Sequence, residues 1–261
     1  MIIELIILFL LISNLIFLFF INKKKIKLLF NNSKIEEKNI TDLHKIFELK
    51  KLNQNLYGPK KDVIINSFCI TPENNIVGMT SDYESWIIAS FSKISKNIFE
   101  FGTCSGKTTY LMALNSTNDA KITSITLDPD KINQLSKKSE DNIISYRNII
   151  NESIYKNFLF SGDEVENKIS IIFNNSLNFD SSKYENSIDL IFIDGGHTYS
   201  IIKNDTEKSF KMLKPNGIIL WHDYVLGKES AKDVVKYLNE ISEKNKIYRI
   251  KNTSLCFFQN S

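Results

Sequence analysis

The residues best suited to chemistry lie in three short stretches of the 261-residue chain. The first is Ile98-Phe99-Glu100-Phe101-Gly102-Thr103-Cys104-Ser105-Gly106-Lys107-Thr108-Thr109, an apolar run that enters a glycine-bounded bend and leaves as a helix. Gly102 and Gly106 let the backbone turn sharply and approach a ligand with no Cβ in the way. The second is Thr126-Leu127-Asp128, where another apolar run ends. A carboxylate there, roughly 20–25 residues beyond a glycine bend, can accept both hydroxyls of a ribose. The third combines Asp194-Gly195-Gly196-His197 with Trp221-His222-Asp223. Asp194, His197, His222 and Asp223 are distant in sequence, but the carboxyl ends of neighbouring strands in an open α/β sheet share one crevice. The imidazoles titrate nearest neutrality and are candidate bases, and the two carboxylates could serve a hard cation. Trp221 reads as core packing at a strand end.

These stretches need a frame that brings strand ends together. Short apolar runs at 98–101, 122–127, 169–173, 188–193 and 217–221 alternate with helical patterns beginning near Lys107, Pro129, Ser200 and Lys228. Such alternation predicts a parallel sheet covered by helices. Residues 139–167 are long for one connection and read as an insertion with some helix, placed over the site. Two closing β runs, 246–250 and 254–258, predict a terminal hairpin and an antiparallel edge. Before the first strand, 81–94 shows a helical face of Trp86, Ile87, Ala89, Phe91 and Ile94. The spacing over 40–56 predicts a further amphipathic helix, broken by Tyr57-Gly58-Pro59.

Two chemistries compete for the glycine bend. Gly106-Lys107-Thr108 suggests a phosphate-binding P-loop, as in nucleotide hydrolases and kinases, with 190–194 as the acidic strand. That motif needs four residues between its glycines, and here three separate Gly102 from Gly106. The dinucleotide pattern Gly-x-Gly-x-x-Gly of dehydrogenases is absent. The Glu-x-Gly-x-x-x-Gly pattern instead resembles motif I of class I methyltransferases. With "TLDPD", "IDLIFIDGGHTYSIIKNDTEKSFKMLKPNGIILWHDY" and "IYRIKNTSLCFF", the chain resembles methyltransferase family 24 over roughly 76–258.

The resemblance implies a Rossmann-like α/β fold, mostly parallel and seven-stranded, with the antiparallel C-terminal hairpin. It implies S-adenosylmethionine as cofactor and, by analogy with metal-assisted relatives, Mg²⁺ on Asp194 and Asp223. Glu100, Gly102, Thr103, Ser105 and Gly106 are then expected at the amino acid end of the cofactor, and Asp128 at its ribose. Asn175 and Ser176 stand where the family often has Gly-Asp-Ser, so Asn175 offers an adenine edge hydrogen bonds but no carboxylate. Asp194 adjoins both cofactor and acceptor, with His197, His222 and Asp194 as the catalytic set. The expected reaction is methyl transfer to a hydroxyl of a small molecule or glycan. A non-catalytic binding module is the remaining alternative.

Composition narrows partners. Thirty-three basic and 30 acidic residues leave a net charge of +3, which gives no concentrated basic face for nucleic acid. Cys69, Cys104 and Cys256 are too scattered for zinc or a disulfide framework. Residues 1–21 are apolar apart from Glu4, Ser13 and Asn14, and Lys23, Lys24, Lys25 and Lys27 follow. This predicts a single-pass transmembrane anchor over 1–22 with the rest of the chain cytoplasmic. A linker and accessory helical region over 23–75 and a catalytic domain over 76–261 complete the expected organisation.

Overall fold

A computed structural model describes residues 33–43, 47, 49–51, 56–59, 62–65, 69–70, 76–78 and 80–260. The expected membrane anchor lies outside these residues, and among those described no helix is long and apolar enough to cross a membrane.

In chain order the strands are β1 (Glu36–Lys38), β2 (Leu49–Lys51), β3 (Tyr57–Pro59), β4 (Cys69–Ile70), β5 (Ile76–Val77), β6 (Asn97–Phe101), β7 (Lys121–Thr126), β8 (Ile169–Phe173), β9 (Ile188–Ile193), β10 (Leu213–Trp221), β11 (Tyr248–Ile250) and β12 (Cys256–Gln259). The α-helices are α1 (Asp82–Ser92), α2 (Lys107–Asn115), α3 (Ile143–Glu152), α4 (Tyr199–Met212) and α5 (Lys232–Ile241). The main sheet has the order β1-β11-β12-β10-β9-β6-β7-β8. β8, β7, β6, β9 and β10 are mutually parallel, and β12 runs antiparallel to both β10 and β11.

The central strands β6 and β9 are buried on both faces, which is why they read as largely apolar runs, with Glu100 and Asp189 their charged members. One core layer joins Ile87, Ile88 and Phe91 of α1 to Leu190 and Phe192. The other joins Ile191, Trp221 and Val234. Trp221 is fully buried and its Nε1 donates to Thr206 Oγ1 at 2.9 Å, the packing role expected of it. Helix α1 starts at a reciprocal cap. The Ser81 hydroxyl accepts from Glu84 N at 3.2 Å, and the Glu84 carboxylate accepts from Ser81 N at 3.0 Å.

Four expectations need correction. The sheet has eight strands, because Glu36–Lys38 adds in parallel to Tyr248–Ile250, so the hairpin is not the edge. This three-residue charged strand shows no alternation that could betray it, and it comes from the stretch expected to be a linker. The helix expected over 40–56 is replaced by a 3₁₀ turn at Ile40–Leu43 and an antiparallel pairing of β2 with β3. Leu43 and Phe47 leave the helical pattern to enter the main core, Phe47 edge-on to Phe91 at 4.8 Å. Tyr57-Gly58-Pro59, expected to break a helix, is the pairing strand. The helix expected from Pro129 is a six-residue 3₁₀ segment, Pro129–Gln134, none of whose residues is buried. Without an apolar stripe it has nothing to hold a longer helix against the sheet. Finally, β10 starts at Leu213, with an irregular register before Ile218 and Asn216 in the left-handed region at φ 63°.

Candidate active site

The bend after β6 is fixed by close approach. Gly102 has φ 96°, and a Cβ there would sit 2.4 Å from the Asp194 carbonyl oxygen and 2.5 Å from Gly195 Cα. Its N–H donates to Ile125 O at 2.9 Å. Gly106, at φ 81°, starts α2, and a Cβ there would meet Phe158 Cβ at 2.7 Å. The insertion after β7 therefore presses on the bend, and Leu159 N donates to Ser105 O at 2.9 Å. Cys104 and Asp223 hold positive φ, 45° and 59°, without being glycine. Such local strain persists only where surrounding structure enforces it.

Two cavities flank the bend. One runs past Gly102, Thr126, Leu127, Asn175, Ser176, Asp194 and Asp205. The other is lined by Thr103, Ser105, Lys107, His197, His222, Asp223 and Lys228. Gly102, Cys104, Glu152 and Asp194 border both, so the cavities meet across the bend.

The strand ends of β9 and β10 converge as expected. His222 Nδ1 lies 3.1 Å from Asp194 Oδ1 and 3.4 Å from Asp223 Oδ2. His197 Nε2 lies 3.3 Å from Asp223 Oδ2 and 3.6 Å from Asp194 Oδ1. Asp194, His197 and Asp223 can each offer one ligand atom within 4.8 Å of the others.

The family model described as a methyltransferase domain, family 24, matches residues 99–224. Residues 99–224, which run from β6 to just past β10, thus resemble that methyltransferase domain. No curated protein matches. Among solved structures, a Corynebacterium glutamicum protein aligns at TM-score 0.50 with 10% identity, over 71% of this chain and 83% of that one. A putative caffeoyl-CoA O-methyltransferase from Staphylococcus aureus aligns at TM-score 0.49 with 17% identity, over 70% and 85%. An O-methyltransferase from Bacillus cereus, solved with SAH, aligns at 0.45 with 14% identity, over 69% and 81%.

Charge in the carboxylate–histidine cluster is set by competition between burial and pairing. Burial alone would raise Asp194, but the charge of His222 and hydrogen bonds from His197 and His222 hold it below its ordinary value. Burial likewise opposes ionisation of Asp223, and His222, His197 and Lys228 pull it down. Burial works against a charged His222, yet Asp194, Asp223 and Glu84 raise it well above an ordinary histidine. His197 is raised less, burial being offset by Asp194, Asp223 and Glu152.

The sequence-predicted residues do not all meet. Gly102, Asn175, Ser176 and Asp194 line the first cavity, whereas Thr103 and Ser105 line only the second and Gly106 lines neither. Glu100, expected to face the cofactor, is fully buried beneath the bend. Ser124 Oγ donates to its Oε2 at 2.6 Å, Thr109 Oγ1 donates to the same oxygen, and Oε1 has no hydrogen-bond partner. Burial lifts its pKa to about 8, against the pull of those hydroxyls. Glu100 supports the loop from below because Thr103, also bonded to Ser124 at 2.7 Å, closes the space above it. Asp128 is placed outside both cavities. Its Oδ1 accepts from Asp130 N at 3.0 Å and its Oδ2 pairs with Lys131 at 3.2 Å, so both oxygens serve the 3₁₀ turn. Its neighbours Thr126 and Leu127 reach the cavity instead. The P-loop-like Lys107 turns its ammonium to the carbonyls of Gly78 and Thr80, at 3.2 and 3.1 Å.

Three residues near the site had no role assigned from the sequence. Glu84 of α1 lies 3.9 Å from His222 Nε2 and accepts from Ser254 N at 2.7 Å, tying the helix cap to the site and the final hairpin. Burial would raise its pKa, but His222 and the backbone N–H groups hold it well below the usual carboxylate range. It lies in the helix expected over 81–94, but nothing in the sequence marks its reach to His222. Glu152 ends α3 beside both cavities, its pKa raised by withdrawal from water although His197 opposes this. Asp205 projects from α4 into the first cavity.

Proposed function

We propose that the domain transfers the methyl group of S-adenosylmethionine to a hydroxyl of a small polar or saccharide-like acceptor. What supports this reading above all is the meeting of the two cavities at Gly102 and Asp194. The first is bordered by the strand ends that would take adenosine. The second presents bases and carboxylates and, among the described residues, no Phe, Tyr or Trp. The sulfonium–methyl bond breaks as the oxygen–methyl bond forms, and the hydroxyl proton passes to His197 Nε2, a buried nitrogen beside the Asp194 and Asp223 carboxylates. The electron pair of the broken bond stays on sulfur. The donor is already activated, so alignment and deprotonation are the protein's main contributions. His222, held as a cation by Asp194, Asp223 and Glu84, fixes the carboxylates in place.

Asp194 and Asp223, with His197 beside them, have the hard oxygen donors that suit Mg²⁺. A bound cation would polarise the acceptor oxygen. The apolar residues 1–21 and the lysines after them support a single-pass anchor holding the domain at the cytoplasmic face of a membrane.

Calorimetry on the full chain tests the reading. S-Adenosylhomocysteine should bind, ATP–Mg²⁺ should not, and methyl-labelled donor should label hydroxylated acceptors. His197→Asn should lower turnover by roughly 10²- to 10⁴-fold with cofactor affinity intact. Binding of ATP–Mg²⁺ alone would refute the assignment. Loss of turnover on chelation, restored by Mg²⁺, checks the cation.

A further inference from the structure

Asp205 is a buried carboxylic acid for which the fold supplies little structural use. It is 1% exposed, yet it borders the cavity between Asn175–Ser176 and Gly195–Gly196. Its Oδ1 accepts from Asn204 Nδ2 at 2.8 Å, and Asn204 Nδ2 also donates to the Ser176 carbonyl at 3.0 Å. Its Oδ2 lies 3.6 Å from where a Cβ on Gly195 would stand. Ser176 hydrogen-bonds to the carboxyl as well. Among the described residues no lysine, arginine or histidine forms an ion pair with it, and it caps no helix. Burying such a group is costly unless its acceptor capacity is used. Burial raises its pKa to about 7, so near neutrality a carboxylate is accessible.

The strand end beside it lacks a carboxylate. β8 runs out into Asn174-Asn175-Ser176, and Asn175 Oδ1 is occupied in accepting from Leu177 N at 3.0 Å. Of the three carboxyls that line this cavity, Glu152, Asp194 and Asp205, it is Asp205 that arrives from α4, where Asn204 ties it to the Ser176 carbonyl. We infer that Asp205 reads the exocyclic amino group of the cofactor's purine, accepting its N–H across the cavity from Asn175. This rests on the proposed use of S-adenosylmethionine. A carboxylate oxygen pairs with a 6-amino group and is set against a 6-oxo group, since both are then acceptors. Asp205 would thus be a specificity-determining residue.

The test measures binding of S-adenosylhomocysteine and of its 6-oxo counterpart, S-inosylhomocysteine, to the full chain. The parent should prefer the adenosyl compound by roughly tenfold or more, because a site built for a donor leaves polar groups unpaired against its mimic. Asp205→Asn replaces one acceptor with an amide donor, and should weaken adenosyl binding while narrowing or reversing the preference. Should that variant melt, Asp205→Ser, smaller and uncharged, should also abolish the preference. A parent that binds both compounds alike overturns the inference without any variant. So does a folded variant that keeps the parental ratio. A parent that binds neither defeats the cofactor reading itself, which is a distinct outcome.

Discussion

Replacing Glu100 by Gln gives a direct measure of what lies under the glycine bend. The side chain is fully buried, two hydroxyls donate to one oxygen, and the other oxygen is unpartnered. Burial, the dominant influence, raises its pKa from an ordinary 4.5 to about 8. The folded state therefore keeps a proton that the unfolded chain releases from about 4.5 upward. Because the folded state binds more protons between those values, its stability falls as pH rises through that window and levels off above about 8. At about 1.4 kcal/mol per tenfold change in proton affinity, the full effect is at most about 5 kcal/mol. Even a third of it, about 1.5 kcal/mol, is measurable by urea unfolding. Glutamine occupies the same volume and binds no proton. Relative to the parent, Glu100→Gln should thus gain stability steadily between about pH 5 and about pH 8. His197 and His222, whose pKa values are raised by the neighbouring carboxylates, are present in both proteins, so their contribution cancels in the difference. A parent–variant difference that stays flat with pH would mean that Glu100 is already ionised in the fold, and would return it to a cofactor-facing role.

Gly102→Ala forces a Cβ to within 2.4 Å of the Asp194 carbonyl at a φ of +96°. It should cost about 2–4 kcal/mol and abolish S-adenosylhomocysteine binding; an unchanged melting temperature would contradict the packing described. Asp233 is 5% exposed, and its Oδ2 accepts from Asn142 N at 2.8 Å and Tyr199 N at 3.0 Å, at the starts of α3 and α4. Asp233→Ala should destabilise by about 1–3 kcal/mol, with faster hydrogen exchange at both amides and earlier proteolysis within 139–167.

Much of the sheet was legible in the chain itself. The runs at 169–173 and 188–193 match β8 and β9, and the helical face over 81–94 matches α1. Those signals are local, since apolar periodicity follows from residues a few positions apart. The convergence of Asp194, His197, His222 and Asp223 was also readable, because strand ends of a parallel sheet must share an edge. What the sequence determined by itself was thus the alternation of elements, the hinge points of the bend, and the chemistry available at the strand ends.

Tertiary structure decided which side chains use that chemistry. Glu100 and Asp128 have suitable types at suitable spacings, but one is sealed beneath Thr103 and the other turns back to Asp130 and Lys131. Glu152 and Asp205 border the cavities from helices, and Glu84 approaches His222 from another, by directions that depend on how each helix packs. The parallel pairing of Glu36–Lys38 with Tyr248–Ile250 joins segments some two hundred residues apart with no apolar pattern in the first. A side chain's partner across such distances is fixed by the packing of whole elements, and no local periodicity encodes it.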